Sequence, residues 1–522
     1  MSFELALTNC RIVDGTGSPW FRGSVGIESG RIQSVVRDDS LAGAAERTVD
    51  LDGLLLAPGF IDTHSHSDLR LFDEPALAPK TRQGITTEIL GQDGFSMAPL
   101  SDEADPAEWE DHLSGLNGRL DREWTWRTTA EYFDTIDANG IGPNIGMLVG
   151  HGTVRYSVMG MADRSAEESE LAAMADLVTA ALKAGAIGFS TGLIYTPQVT
   201  ADTDEVQRLA GRLASFGRPF VAHIRNETDD IWGALDEFVD IGDDEEIPLH
   251  LSHFKLALPP QHGKAERAIG VLEAARERGV DITADQYPYT AGSTMLAELL
   301  PSWVRTDGTD EAVKRLGNGE DRARIRQYIE NRPEAWENVV VTSVASDANE
   351  GFEGMALDKI AEARNQDPAA AVMDLLLEER LEVSKITHML ADQDVETILA
   401  NKQTSIATDG LFGGKPHPRT YGTYPRVLGH YVRTKNLLGI EEAIQMMTSL
   451  PARAMGLHRK GIVRPDMDAD LAVFDPQRIA SPATYEDPRQ FPEGIAHVLV
   501  DGQFVVRNGE PTGATPGSVI RK

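Results

Sequence analysis

Residues 58–68 read PGFIDTHSHSD. In an extended chain residues i and i+2 face the same side, so His64 and His66 point one way at the end of a β-type run, FIDTHSH (60–66). Two imidazoles placed like this can share one metal ion. Seven more β-type or apolar runs follow: TTEILGQ (86–92), NIGMLVGH (144–151), AIGFSTG (186–192), PFVAHIR (219–225), PLHLSHFK (248–255), DITADQYPY (281–289) and TSIATDG (404–410). Helical stretches such as EESELAAMADLVTAALKAG (167–185) and GKAERAIGVLEAARERG (263–279) lie between them. Strands alternating with helices argue for parallel βα units, and eight such strands close a barrel. The predicted class is α/β, a (β/α)8 TIM-like barrel over residues 59–450, with an insertion at about 298–400 before the last strand.

The two ends of the chain read differently. Residues 3–58 hold short β-type runs (LALTNCRIVDG, GSVGIESGRIQSVV, LDGLLLAPG), and 460–510 again show short strands with Asp-Gly and Asn-Gly turns. Residues 1–58 and 451–522 are therefore expected to pair into one small β-sandwich domain.

Composition bounds the function. The 522 residues carry 49 Lys+Arg against 82 Asp+Glu, a net charge of −33, which disfavours any surface built to grip nucleic-acid phosphates or anionic lipid. With hydrophobic residues at 41% and charged residues at 25%, the acidity is that of a globular chain rather than a disordered one. Lys supplies only 12 of the basic residues, a bias that fits a high-GC genome or adaptation to salt. The single cysteine, Cys10, rules out a disulfide framework and a thiolate zinc cluster, so metal ligands must be His and carboxylate. With no signal-like start and no long apolar run, the expectation is a cytoplasmic protein with neither nucleic-acid nor membrane partners.

His223, His253 and Asp409 also fall at the C-terminal ends of strand-like runs, the rim where barrel enzymes place their sites. Four histidines and an aspartate converging there can hold one or two divalent ions, of Zn, Mn, Co or Ni type. Asp93, in GQDGFSMAP beyond the second run, is a further candidate ligand, although taken alone it reads as a turn residue between glycines. By the same alternation Arg225 shares a face with His223, Lys255 with His253, and Tyr287 with Asp285 and Tyr289. Basic groups at the mouth of so acidic a chain suggest recognition of a substrate carboxylate, while each one singly reads equally as the partner of a neighbouring acid. His250, three residues before His253, should face the opposite side and be structural, and Cys10 reads as a small buried residue.

The motifs PGFIDTHSHSD, QGITTEILGQDGFSMAPL, VGHGTVR, GAIGFSTGLIY, AHIRNE, LSHFK, DQYPYTAGST and ATDGLFGGKPHPRTYGTYPRVLGHYVR occur in the order found in D-aminoacylases. These are the N-acyl-D-amino-acid deacylases of the metal-dependent amidohydrolase superfamily, and the chain resembles them from about residue 3 to 510. The resemblance implies a metal-bearing barrel, a β-domain from both termini and a lid-like insertion. Carried over by position, it makes His64, His66 and Asp409 ligands of one metal position and His223 and His253 ligands of the other. It places Tyr195, Lys255, Tyr287, Ser293 and Arg419 around the substrate, with Arg225 and His151 also in family motifs. One departure stands out: where the family has a cysteine ligand in a GNCG-type motif, this chain has GQDG, so Asp93 takes the thiolate's place as a harder ligand.

The activity implied is hydrolysis of the N-acyl bond of an N-acyl-D-amino acid, a small carboxylate-bearing amide, with Zn as cofactor and Mn or Co as alternatives. Asp409 is the expected proton carrier. A cyclic-amide hydrolase of the hydantoinase or dihydroorotase kind is the alternative; such enzymes commonly use a carboxylated lysine from the fourth strand, and AIGFSTG has none. A catalytically silent scaffold is a third reading, and one that predicts lost ligands.

Overall fold

The computed structural model describes residues 3–38 and 40–522. Eight parallel strands form its centre: β1 Phe60–Asp62, β2 Ile85–Leu90, β3 Asn144–Gly150, β4 Gly188–Gly192, β5 Phe220–His223, β6 Leu249–Leu251, β7 Ile282–Gln286 and β8 Thr404–Ile406. They pair in chain order, each with the next. A bridge between Ser65 and Gly410 and the bond from Asp409 N to His64 O (2.9 Å) join the last strand to the first just beyond their ends, closing the expected barrel. Every residue of all eight strands is buried, as a sheet covered on its outer face requires. The cover is helical. In Glu168–Ala184 the apolar positions Leu171, Met174, Ala175, Val178, Ala181 and Leu182 repeat at helical spacing and form its buried face, and Gly185 in the left-handed region ends it before β4.

The lower barrel is filled by Ile61, Ile89, Leu148, Ile187 and Val221, and Ala452, Met455 and Leu457 plug its base. Each such apolar side chain contributes about 1.5–3 kcal/mol on burial. Both termini build one nine-stranded sheet: the strand Leu55–Pro58 from the first half pairs antiparallel with Leu471–Phe474 from the second. Leu7, Ile12, Val25, Leu56, Leu471, Val473 and Leu499 form its core, and Cys10 is buried among them.

The inserted layer differs in extent from the 298–400 read in the sequence. Its three-stranded antiparallel sheet starts at Ala291–Met295, and its central strand Val383–His388 lies between that edge and Val339–Val344. Leu299, Val304, Leu316, Ile325, Val341, Leu357, Ile360, Val372 and Leu375 give it a core of its own. The helix Asp392–Leu399 belongs instead to the barrel, where Asp394 accepts bonds from Gly263 N and Ala265 N at the start of the helix Ala265–Glu277. The first strand follows the Tyr287–Thr290 turn directly, which places Ser293 and Thr294 over the barrel mouth.

One buried polar cluster fastens β1, β2 and β8 together. Lys80 Nζ donates to Asp62 Oδ2 (2.8 Å), Ser65 Oγ (2.9 Å) and Thr408 Oγ1 (2.7 Å) and lies 3.4 Å from Glu88 Oε2. Asp62 in turn accepts from Thr408 N (2.8 Å) and Thr408 Oγ1 (2.6 Å). Burial works against the Lys80 ammonium, but Asp62 and Glu88 outweigh it and raise its pKa above the ordinary lysine value. Removing one member of such a group strands the opposite charges in a dry interior, at a cost of about 3–5 kcal/mol. Lys80→Met should therefore lower the unfolding free energy by about that much in urea titrations; a loss below about 1 kcal/mol would show that the clamp does not hold the barrel closed.

Candidate metal centre

Each cluster residue stands at or just beyond a strand's C-terminal end. His64 and His66 follow β1, Asp93 follows β2, His223 ends β5, His253 follows β6 and Asp409 follows β8. The structure brings all six together. Asp93 Oδ1 lies 3.5 Å from His64 Nε2, 3.6 Å from His223 Nδ1 and 3.4 Å from His253 Nε2, while its Oδ2 is 3.6 Å from His66 Nε2. Asp409 Oδ1 lies 3.6 and 3.3 Å from His64 Nε2 and His66 Nε2. Asp93, the residue that could have been a mere turn, touches all four histidines.

Backbone shape makes this convergence. Asp93, His253 and Asp409 all adopt left-handed φ values of 56°, 35° and 50°. Such conformations cost of order 1–3 kcal/mol each and persist only where neighbours impose them. Around Asp93 the neighbours are Gln198, whose Nε2 donates to Asp93 O (2.7 Å), and Ser190, whose Oγ accepts from Gly94 N (3.1 Å). At His253 the peptide N–H donates to Asp285 Oδ1 (2.6 Å), and Asp285 Oδ2 lies 2.8 Å from both His250 Nε2 and Thr63 Oγ1. His250 is thus structural, facing away from His253. Asp285, read in the sequence as facing the mouth, lies below it as the support of His253.

Buried nitrogens and oxygens of these residues have no hydrogen-bond partner: both ring nitrogens of His64 and His223, His66 Nε2 and Asp93 Oδ1, of which His64 Nε2, His66 Nε2, His223 Nδ1 and Asp93 Oδ1 face the centre. Unpartnered buried polar atoms are costly and call for an explanation. A divalent ion supplies it, because neutral imidazole and carboxylate donors without thiolate suit such ions. Two triads of such donors are His64, His66, Asp409 and His64, Asp93, His253, each with its donor atoms within 4.8 Å of one another.

Around the centre lie the groups assigned to substrate. Arg419, fully buried, places Nη1 2.8 Å from Asp409 Oδ2 and Nη2 3.1 Å from Ser293 O, with its guanidinium 4.5 Å from the Tyr287 ring centre. Burial alone would raise the Asp409 carboxyl, but Arg419 and His64 hold it well below the usual carboxylate range. The Tyr287 hydroxyl is buried and unpartnered. Tyr195 packs edge-on against His223 at 5.2 Å and its hydroxyl meets Thr294 Oγ1 at 3.0 Å. Lys255 Nζ sits 2.8 Å from His253 Nδ1 and 2.5 Å from Glu227 Oε1.

Two sequence assignments are corrected. Arg225 turns outward to pair with Glu237 (2.8 Å) and to donate to Ala201 O (2.8 Å), since β5 ends at His223 and strand alternation ends with it. His151 lies 2.8 Å from Glu205 Oε1 in a buried group with Arg155, which braces the 196–200 turn through Pro197 O and Thr200 Oγ1. Neither reaches the centre. Tyr289 likewise faces His417, at 5.0 Å. Conversely, Glu227, which the sequence reading did not single out, lies 3.6 Å from His223 Nε2 and 3.2 Å from His253 Nδ1. Its only sequence signal is its place in AHIRNE, four residues after His223. Gln198 was legible in no motif.

The Asp93 turn depends on glycine at its start. Gly91 has φ +73°, and a Cβ there would stand 2.1 Å from Leu148 O in β3. Gly91→Ala should displace Asp93, so that purified protein carries markedly less divalent metal and melts several degrees lower, the left-handed conformation alone costing about 1–2 kcal/mol. Wild-type metal content in that variant would show that the turn does not place Asp93.

A family model described as "Amidohydrolase family" matches residues 47–506. A D-aminoacylase of Alcaligenes xylosoxydans xylosoxydans is 34% identical over 521 residues, covering 100% of this chain and 98% of its own length. The crystal structure of an N-acyl-D-glutamate deacylase from Bordetella bronchiseptica, complexed with zinc and a phosphonate that mimics the tetrahedral intermediate, is 32% identical, with a TM-score of 0.87 and full coverage of both chains. An L-hydantoinase from Arthrobacter aurescens, at 14% identity and a TM-score of 0.55 over the full length of both chains, shares the fold alone. Matched by the family model over most of its length, and by a full-length relative at 34% identity, the chain belongs to the amidohydrolase family.

Proposed function

We propose that this chain is a metal-dependent N-acyl-D-amino-acid deacylase that cleaves the amide bond to give a carboxylate and a free D-amino acid. The observation that carries the reading is the set of unpartnered imidazole nitrogens around Asp93, with Asp409 beside them and cations one layer out. His64, His66 and Asp409 would hold one divalent ion and His223 and His253 another, with Asp93 between them; zinc is the expected ion, with Mn or Co as alternatives. The full-length likeness to a D-aminoacylase and to a zinc-bearing N-acyl-D-glutamate deacylase supports deacylase over cyclic-amide chemistry. β4, Gly188–Gly192, carries no lysine, which also speaks against the carboxylated-lysine route. No described helix is long and apolar enough to cross a membrane, and the reading places the enzyme in the cytoplasm acting on small molecules.

A divalent ion bound here would polarise the scissile carbonyl and acidify a water molecule. The chain's own groups do the rest. Asp409, kept ionised beside Arg419, accepts the proton of the attacking water through its carboxylate and returns it to the departing amine nitrogen. Arg419, Lys255, the Tyr287 hydroxyl and Ser293 receive the substrate carboxylate, and Tyr195, edge-on to His223, borders the substrate. Anchoring that carboxylate while the carbonyl faces the metal position leaves one direction for the side chain, which is how a fixed site selects one enantiomer.

Asp409→Asn should lower kcat by about 10²–10⁴-fold while circular dichroism stays that of wild type; near-wild-type turnover would remove Asp409 from the proton path. Tyr287→Phe should raise KM for an N-acetyl-D-amino acid about tenfold at little cost in stability, because its hydroxyl has no partner until substrate arrives. A panel of N-acetyl D- and L-amino acids, hydantoin and dihydrouracil, assayed after reconstitution with Zn, Mn or Co, tests the reaction class. Turnover of the cyclic amides alone would replace this reading with the alternative.

A further inference from the structure

The rings of His223 and His253 each stand between two carboxylates. On the inner side His223 Nδ1 and His253 Nε2 face Asp93 Oδ1 at 3.6 and 3.4 Å. On the outer side His223 Nε2 faces Glu227 Oε2 at 3.6 Å and His253 Nδ1 faces Glu227 Oε1 at 3.2 Å. Glu227 lies in the turn after β5, with its side chain only 13% exposed, and the same Oε1 is 2.5 Å from Lys255 Nζ. One carboxylate therefore meets two rings that face the metal centre and one cation assigned to substrate.

A neutral imidazole offers one lone pair and one N–H. If the inner nitrogens give their lone pairs to a metal, the protons must sit on the outer nitrogens, and those N–H groups need an acceptor in a region from which water is largely excluded. Lys255 stands 2.8 Å from His253 Nδ1, but an ammonium has no lone pair and cannot accept. Among the described residues Glu227 is the carboxylate facing the outer nitrogens of both rings. Glu227, His223 and His253 also form a triad whose donor atoms lie within 4.8 Å of one another, with the outer nitrogens of both rings nearest the Glu227 carboxylate. Using that triad for a metal, however, would leave the inner nitrogens protonated and lost to Asp93's centre.

We propose that Glu227 is a positioning residue that fixes the tautomer and tilt of both His223 and His253 and holds Lys255 beside them. This rests on the metal-dependent reading above. Through it one side chain sets both metal uptake at the His223–His253 position and the place of the cation that meets the substrate carboxylate.

The test uses full-length protein stripped of metal and titrated with Zn²⁺ against a chromophoric chelator, for wild type, Glu227→Gln, Glu227→Asp and a His223→Ala reference that removes the position outright. Glu227→Gln should bind Zn²⁺ about 10–100-fold more weakly at the position lost in His223→Ala, with the other position and the melting temperature of the metal-free protein unchanged. Glu227→Asp should recover part of the loss. In Co²⁺-loaded protein, the exchangeable ring N–H proton resonances of the two histidines should exchange faster with solvent in Glu227→Gln. Unchanged affinity and exchange in that variant would overturn the proposal. So would a third equivalent of metal in wild type that Glu227→Gln loses, which would make Glu227 a ligand. If wild type takes up no divalent metal, the deacylase reading itself falls and carries this one with it, a result distinct from a wild type that binds metal and a variant that binds it equally well.

Discussion

The Asp93 carboxylate, buried and within 3.4–3.6 Å of four imidazoles, is the constraint around which the structure is arranged. Taking a carboxylate out of water costs several kcal/mol, and the nearby histidines and second aspartate cannot all be satisfied by one another. Hence the orphaned nitrogens, which make sense once a cation completes the set. Hence also the left-handed backbone at Asp93, His253 and Asp409, since no regular strand end would aim these side chains at one point.

Holding such geometry requires support from distant parts of the chain. Asp285 in β7 fixes the peptide of His253, Gln198 fixes that of Asp93, and Asp62 in β1 fixes Thr408, the neighbour of Asp409 and 346 residues away. Lys80 then binds Asp62, Ser65 and Thr408 into one buried unit, so the residues flanking His64 and Asp409 cannot separate. The rigidity that a metal centre needs is therefore supplied by the same bonds that close the barrel.

Most of the charge of −33 belongs to the exterior, where most of the acidic side chains lie. Within the site the acids are matched by bases at short range: Asp409 by Arg419, Glu227 by Lys255 and Asp285 by His250. Two cations, Arg419 and Lys255, and the unpartnered Tyr287 hydroxyl thus stand beside the centre of a chain whose net charge otherwise repels anions.

The periodicity of the sequence was sufficient for eight parallel strands, for histidines and an aspartate at their C-terminal ends, and for a β-domain shared by both termini. Patterns within a strand are local, and burial on one face or both imposes them wherever the strand lies. They stop where the strands stop. β5 ends at His223 and β7 at Gln286, so alternation wrongly turned Arg225 and Tyr289 toward the centre and could not say where Glu227 points. Asp93 as the shared partner of four histidines, Glu227 behind two of them, and an insertion beginning at Ala291 were decided only by the tertiary structure. Those side chains sit in turns whose conformation is fixed by partners tens to hundreds of residues away, and no local pattern encodes such a bond.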